Sequence, residues 1–312
     1  MNERVDIKGT DGPLLTKLDP TSPALDAKGL GKISIKAGTT FAGVSFVDDT
    51  EVQITSLEPG TDYIVRLHAG VPVAVKADYA DLVQVIDGLP SILANEYLGG
   101  FHFAPGGNGT GRAGGDEVPV ISPFSLWDVN FRPACPDPRG MVLVTAPGRQ
   151  FWCDIYLLGV DHHKNGTSTF DAMIADGETP PIDVTTGKPF KRFDYAAACA
   201  VMAHHDKRLL SFEEFAIAAY GVTERSAVGE DPVRTKLDAP RTSYFGLPQA
   251  TGNMWIWGHD GDPDTPRASL FGGSWLYGEV AGSRCALVAY DWPESSSDDF
   301  GARGRSDHLQ PV

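Results

Sequence analysis

No stretch of the chain approaches the 18 or more consecutive apolar residues that a membrane-spanning helix needs, and the opening MNERVDIKGTDGPLL lacks the apolar centre of a secretory signal. The expectation is a soluble protein made in a cytoplasm, without membrane insertion. Basic residues are scarce: 26 Lys and Arg face 41 Asp and Glu, for a formal net charge of −15. Such a surface repels nucleic acid and anionic membrane, which argues against polyanion binding. Cysteine is scarcer still. Cys135, Cys153, Cys199 and Cys285 lie far apart, with no CxxC and no short Cys/His spacing, so a zinc site or disulfide framework is unsupported and buried thiols are expected. Metal-ligand patterns are missing elsewhere too. In GHDGDPDTP, Asp260, Asp262 and Asp264 stand two apart like the start of a calcium loop, but the glycine and distal bidentate Glu of an EF-hand are absent, which leaves an acidic solvated loop. The adjacent pairs His162-His163 and His204-His205 diverge by about 100° on a helix, so neither pair alone chelates and both read as surface histidines. GGNGTGRAGG has no clear strand leading into it and no periodic helix leaving it, unlike a phosphate-cradling loop. No metal and no cofactor is expected, and no internal repeat is present.

What remains is ample material for a core, with 42% hydrophobic residues in a chain whose 312 residues suggest two domains. From about Lys32 to Ala77, short β-branched or alternating runs (KISIK, FAGVSFV, EVQITSL, DYIVRLH, VPVAVKA) are separated by Gly, Pro and Asp. They predict a small, mainly β module over residues 1–115. The segment from Tyr79 to Tyr97 is apolar without a clean period and fits a helix or further strands. Gly99 to Pro119 is so rich in glycine that it reads as a loop or linker, with a boundary near residue 120. The second domain, residues 120–312, opens with strands expected at Met141–Val144 and Phe151–Val160. A helix from Asp194 to His205 would place Tyr195, Cys199 and Met202 on one face. Another starts at Ser211, where SFEE supplies a capping box, and would bury Phe212, Phe215, Ala216 and Ala219. The last hundred residues have few helix signals and many Gly, Trp and Ser, as in a compact domain with long ordered loops.

Within the second domain, GMVLV (140–144), RLLSFEEFAIAAYG (208–221), GNMWIW (252–257), FGGSW (271–275), SRCAL (283–287) and GARG (301–304) follow one another in order. This series resembles the formylglycine-generating-enzyme family and implies an α+β, C-type-lectin-like C-terminal domain behind the β module. The residues agree: Trp255, Trp257 and Trp275 suit a core beneath loops, Gly272 and Gly273 permit positive φ or close approach, and Arg284 and Arg303 suit tying loops together. The family's catalytic members bind copper through two cysteines five positions apart. Cys285 matches the second, but the first falls at Val280, which supplies no thiolate, and the histidine cluster of the related iron-dependent branch has no counterpart. The resemblance therefore implies a binding protein rather than an enzyme, with Cys285 a small buried hydrophobe.

The end of the chain narrows this further. LFGGSW, AGSR, a Pro before a Ser-rich run, FGARG and SDHL resemble phage tropism determinants, which belong to the variable proteins of diversity-generating retroelements. In that group, adenine-directed mutagenesis turns AAC-type codons into NNC codons at displayed positions. The resemblance places those positions at Ser274, Leu276, Tyr277, Gly278, Val280, Leu287, Ala289, Tyr290, Ser295, Ser297, Asp299 and Phe300, all of which NNC permits. Trp275, Glu279, Trp292 and Glu294, which NNC forbids, would be fixed scaffold. The segment from Leu287 to Pro293 is one residue longer than the family pattern, leaving the register of Ala289 and Tyr290 open by one, and SDHL replaces an end containing cysteine. The implied protein sits at the tip of a phage or prophage tail fibre as a homotrimer. It binds a host cell-surface receptor, protein or glycan, and meets other tail proteins through residues 1–115. The alternatives are a cell-encoded, retroelement-diversified binding protein and a divergent formylglycine-generating-type oxidoreductase.

Overall fold

The computed structural model describes residues 14–78, 83–86, 89–92, 97–107, 113–290 and 292–309. It is mostly β with few helices. In the N-terminal part, the alternating runs lie in β-strands as expected, except that FAGVSFV divides into a hairpin at Ala42 and Gly43 and EVQITSL contributes to two different sheets. Leu15–Thr16, Thr39–Phe41 and Val44–Phe46 form one small sheet, and Leu25–Ala27, Ile33–Ile35 and Thr50–Glu51 form another. A larger sheet orders Gln53–Ile54, Val71–Lys76, Thr61–His68, Gly99–Ala104 and Val120–Ile121, with Trp127–Asp128 also on Gly99–Ala104. Leu25, Ile33, Ile35, Val65, Leu98, Phe101 and Ile121 fill the space between these sheets. The segment left open as helix or strand contains an antiparallel pair, Val83–Ile86 with Leu89–Ile92; its other residues, 79–82, 87, 88 and 93–96, lie outside the described ones.

Gly99–Ala104 corrects the linker expectation. It is a strand buried at every residue, bonded to Thr61–His68 on one side and to Val120–Ile121 and Trp127–Asp128 on the other. A Cβ on Gly99 would lie 2.1 Å from the Trp127 carbonyl oxygen, and one on Gly100 would lie 2.5 Å from that of Tyr63. Here glycine marks close approach of backbones within a sheet rather than a chain with nothing to bury. The reading of GGNGTGRAGG falls largely outside the described residues, since 108–112 are not among them.

The C-terminal part is built on an eight-stranded mixed sheet in the order Met141–Ala146, Arg149–Asp154, Gly304–Asp307, Arg208–Ser211, Trp255–His259, Ala268–Phe271 and Ala286–Leu287, with Phe300–Ala302 parallel to Trp255–His259. The expected strand at Phe151–Val160 ends at Asp154. Helix Tyr195–His204 is capped by Asp194, whose side chain accepts from Ala197 N–H at 2.9 Å. Its buried face is Ala197, Ala198, Val201 and Met202, while Tyr195 and Cys199 flank it half-buried. YAAACAVMAH is apolar on all sides, so sequence alone cannot choose the face. Helix Phe212–Ala218 carries the predicted capping box: Ser211 Oγ accepts from Glu214 N–H, and Glu214 Oε2 accepts from Ser211 N–H at 2.9 Å. Glu214, Phe215 and Ala218 are its buried residues, with Ala219 buried at its C-cap, while Phe212 and Ala216, expected in the buried stripe, are only half-buried at its edges. Glu214 also accepts from Arg208 and Arg305. Burial alone would raise its pKa; these hydrogen bonds outweigh it and hold the carboxyl down at about 2.

The histidine pairs are also corrected. His162 and His205 are buried and face each other across 2.9 Å. His162 Nε2–H donates to the Ile182 carbonyl at 2.8 Å, which leaves its Nδ1 to accept from His205 Nε2–H. His163 and His204 are half-buried beside them.

The two parts share packing. Ile64, Ala77, Tyr97, Trp127 and Phe131 form one cluster with Cys135, Met141 and Trp152. Polar ties run alongside it: Asp62 Oδ1 accepts from Gly140 N–H at 2.9 Å and lies 3.2 Å from His102 Nδ1, and His102 Nε2 lies 3.0 Å from the Tyr156 hydroxyl.

Candidate ligand-recognition surface

Strand Trp255–His259 supplies the floor. Trp257 is fully buried, its Nε1–H donating to the Phe193 carbonyl at 3.3 Å, and Trp255 is 6% exposed. The neighbouring strand Ala268–Phe271 runs into Gly272 and Gly273, both at positive φ (+92° and +75°), as their glycine identity led us to expect. Those left-handed residues turn the chain over the tryptophans and into a tight loop, in which Tyr277 N–H donates to the Ser274 carbonyl and Val280 N–H to that of Tyr277, each at 3.1 Å.

Aromatic members of the predicted patch stand on this floor. The Tyr277 ring meets Trp255 edge-on at 5.8 Å, Phe300 meets Trp257 edge-on at 5.3 Å, and Tyr290 packs against the same cluster. Leu276, Tyr277, Gly278, Val280 and Leu287 are exposed. Ala289, Tyr290, Ser295, Ser297 and Phe300 are half-buried. Ser274 and Asp299 are buried, and Ser274 Oγ donates to Asp299 Oδ2 at 2.7 Å, so this pair lies below the surface that the others form. Ala289 has φ +53°, a left-handed conformation that disfavours β-branched replacements.

Of the four positions expected to be scaffold, Trp275 is partly buried against the main core. Trp292 departs from the expectation: its ring is 67% exposed and supports no core, touching Tyr290 edge-on at 5.9 Å. Val288, outside the predicted patch, is 47% exposed. Thus Leu276, Tyr277, Val280, Leu287, Val288 and Trp292 bring six exposed large apolar side chains into one short stretch. A Trp in an acidic, Ser-rich run with no apolar period was the signal in the sequence that it had no core to join.

The supports are polar. Arg303, 1% exposed, donates through Nη1 and Nη2 to the carbonyls of Asp154, Ile155, Pro248 and Gln249, tying two loops as expected. Arg284 does not: it is exposed and bonds to no described residue. Cys285 is half-buried with its thiol pKa pushed up by burial, Cys199 is likewise half-buried, and Cys135 and Cys153 are fully buried. The Asp260 and Asp262 carboxylates accept from backbone N–H groups of their own loop.

The comparisons with known proteins cover nearly the whole chain. Residues 23–128 match the family model of the Mtd second domain. The tail fiber receptor-binding protein of Bordetella phage BPP-1 is 37% identical over 329 residues, spanning 94% of this chain and 84% of that protein. Solved structures of the Major Tropism Determinant I1 and M1 variants each align with a TM-score of 0.81 at 36% identity, over 95% of this chain and 86% and 85% of theirs. With sequence and fold both shared over that length, the chain belongs to the family of phage major tropism determinants.

Proposed function

We propose that this protein is the receptor-binding protein of a phage or prophage tail fibre, a virion component that recognises a host surface ligand through the loops over Trp255 and Trp257. The observation that carries this reading is the identity of 37% across 94% of the chain with a tail fiber receptor-binding protein. The surface is consistent with it, because exposed apolar side chains concentrated in one stretch mark an interaction site. We assign residues 120–312 to a C-type-lectin-like scaffold of the formylglycine-generating type, supported by the ordered motifs and the mixed sheet with its two helices. Residues 1–115 form the attachment and assembly module, and the sheet through Trp127–Asp128 argues for extending it to residue 128. The protein acts as a homotrimer, so that avidity multiplies weak single sites.

On this reading the ligand meets Leu276, Tyr277, Gly278, Val280 and Leu287 directly, with Ala289, Tyr290, Ser295, Ser297 and Phe300 at their edges. Ser274 and Asp299 shape the patch from beneath. The function is binding without catalysis: the relatives are receptor-binding proteins, and exposed Val280 stands where a copper-binding cysteine would be needed. The test is adsorption of the purified protein to host cells. Tyr277→Ala should weaken it by roughly 30-fold, about 2 kcal/mol for an aromatic anchor, while leaving the thermal midpoint unchanged. Normal adsorption after Tyr277→Ala, Leu276→Ala and Val280→Ala combined would remove the patch from the binding site.

A further inference from the structure

We propose that Trp292 and Glu294 form a fixed subsite, built on a rigid turn at the edge of the patch, that takes a basic side chain, arginine above all, from a protein receptor. This rests on the receptor-binding reading and names the chemistry of part of its ligand. Trp292 is the most exposed aromatic side chain among the described residues, at 67%. Its mount is nevertheless firm. Ser295 N–H donates to the Trp292 carbonyl at 3.0 Å, closing a turn with Pro293 at its second position, where the fixed φ of proline is pre-set. The Pro293 carbonyl accepts from Tyr195 N–H at 3.1 Å, Ser296 Oγ accepts from Phe193 N–H at 3.0 Å, and the Ser297 carbonyl accepts from Gly177 N–H at 2.9 Å. An indole so presented loses little freedom on binding, the property that makes tryptophan an interface anchor.

Charge selects the occupant. Between Leu276 and Phe300 the sequence carries Glu279, Asp291, Glu294, Asp298 and Asp299 against Arg284 alone, in a chain of net charge −15. Glu279 and Glu294 are exposed, and Glu294 sits in the same turn as Trp292. The Trp292 and Tyr290 rings stand at 67° to each other with centroids 5.9 Å apart, and the exposed Glu294 follows Trp292 by two residues in the same turn. A guanidinium stacks on an aromatic face by cation–π attraction and pairs bidentately with a carboxylate of opposite charge. A neutral sugar, although it can stack and donate a hydroxyl, brings no charge to an acidic patch, and an anionic group is repelled from it. Trp and Glu are also residues that NNC codons cannot encode. Such a subsite would stay constant while its neighbours vary, giving different variants one shared contact.

The experiment titrates the full-length protein with hexa-arginine, with hexa-glutamate and with a neutral maltohexaose, reading binding by calorimetry at 50 and 300 mM salt. Hexa-arginine should bind, about tenfold more weakly in Trp292→Ala and in Glu294→Lys, with Trp292→Phe retaining most of the affinity. Glu117→Lys, an exposed charge reversal in the N-terminal part, controls for the general acidity of the surface and should have little effect. Equal hexa-arginine binding in wild type, Trp292→Ala and Glu294→Lys would overturn the proposal. So would maltohexaose binding that depends on Trp292 where hexa-arginine binding does not. Because both side chains are exposed, the variants should melt with wild type. If host adsorption depends on Tyr277 while Trp292→Ala binds hexa-arginine as wild type does, the receptor-binding function stands and the arginine subsite falls.

Discussion

Arg303 carries a charge into a site where it is 1% exposed, and its two Nη groups meet only carbonyls, those of Asp154, Ile155, Pro248 and Gln249. Removing it leaves buried acceptors without donors, each costing about 1–3 kcal/mol. Arg303→Ala should therefore cost more than about 3 kcal/mol in urea unfolding, and Arg303→Lys should recover little of it, since an ammonium lacks the fork that spans two loops. A loss below about 1 kcal/mol would show that the loops hold themselves. Trp275 and its neighbour Tyr277 give a second contrast: partly buried Trp275, changed to Ala, should cost roughly 2–4 kcal/mol, somewhat under the range for fully buried rings, with Tyr277→Ala nearly silent in stability. Early unfolding of Tyr277→Ala with a silent Trp275→Ala would mean the register of the patch is wrong. At this scale, large side chains were legible in the sequence: Trp255 and Trp257 had to be buried somewhere, and Arg303 in GARG had loops to tie. Ser274 and Asp299 were not legible. Each looks like a surface residue in its own segment, and only pairing across 25 positions of sequence makes a buried hydrogen bond of them.

Strands declared themselves by β-branched runs, as in VPVAVK, although it is Pro72 and Ala74 rather than the alternating valines that are buried, and the capping box at Ser211 was readable because it is a local interaction. Non-local choices were hidden. The all-round apolar helix Tyr195–His204 gave no face, and Gly99–Ala104 passed for a linker because its glycines answer to neighbouring strands. The same gap concealed the contact between helical turn His162–Asn165 and the end of helix Tyr195–His204. Burial drives the His162 pKa down to about 4, the Ile182 carbonyl opposing and His163 and His204 reinforcing. Burial likewise takes His205 down to about 2, with His162, Lys207, His204 and His163 reinforcing. Both rings are thus held neutral in the folded state below an ordinary value of 6.5. Their contribution is fully present above pH 6.5 and is lost as pH falls from there toward about 4 for His162 and about 2 for His205, because the unfolded chain binds protons that the folded one refuses. Each pKa unit corresponds to about 1.4 kcal/mol. Stability to urea should fall between pH 7 and pH 5, above the range where carboxylates such as Glu214 titrate. His205→Gln keeps a donor for His162 Nδ1 but cannot be protonated, so its slope over that window should be shallower. Superimposable slopes would show that the histidine contact does not govern acid sensitivity.

At the scale of the whole molecule, the sequence suggested two domains joined by glycine, whereas packing and hydrogen bonds run continuously across that junction. Trp127 and Phe131 share a cluster with Met141 and Trp152, the Phe131 and Trp152 rings lying 6.2 Å apart. Asp62 from the N-terminal sheet accepts from Gly140 N–H, the Arg139 guanidinium donates to the Ala77 carbonyl at 2.9 Å, and His102 reaches Tyr156. Burial opposes ionisation of Asp62, but His102 and the Gly140 N–H outweigh it and hold its pKa below the ordinary range. On the proposed function this continuity carries mechanical meaning, since force on the proposed recognition loops would reach the N-terminal part through a packed junction rather than a flexible tether. It also predicts the calorimetry. Two independent units of about 128 and 184 residues would unfold with enthalpies of roughly 90 and 130 kcal/mol, and a coupled chain in one transition of roughly 220 kcal/mol. We expect one transition, with calorimetric and van't Hoff enthalpies in agreement. Asp62→Ala, which strips the carboxylate partner from buried His102 and from Gly140 N–H, should lower that midpoint and broaden or split the peak. Two separated peaks in the wild type would show that the junction does not couple the parts. A single wild-type peak left unchanged by Asp62→Ala would assign the coupling to the apolar cluster alone, and Trp152→Ala would then be the variant that splits it.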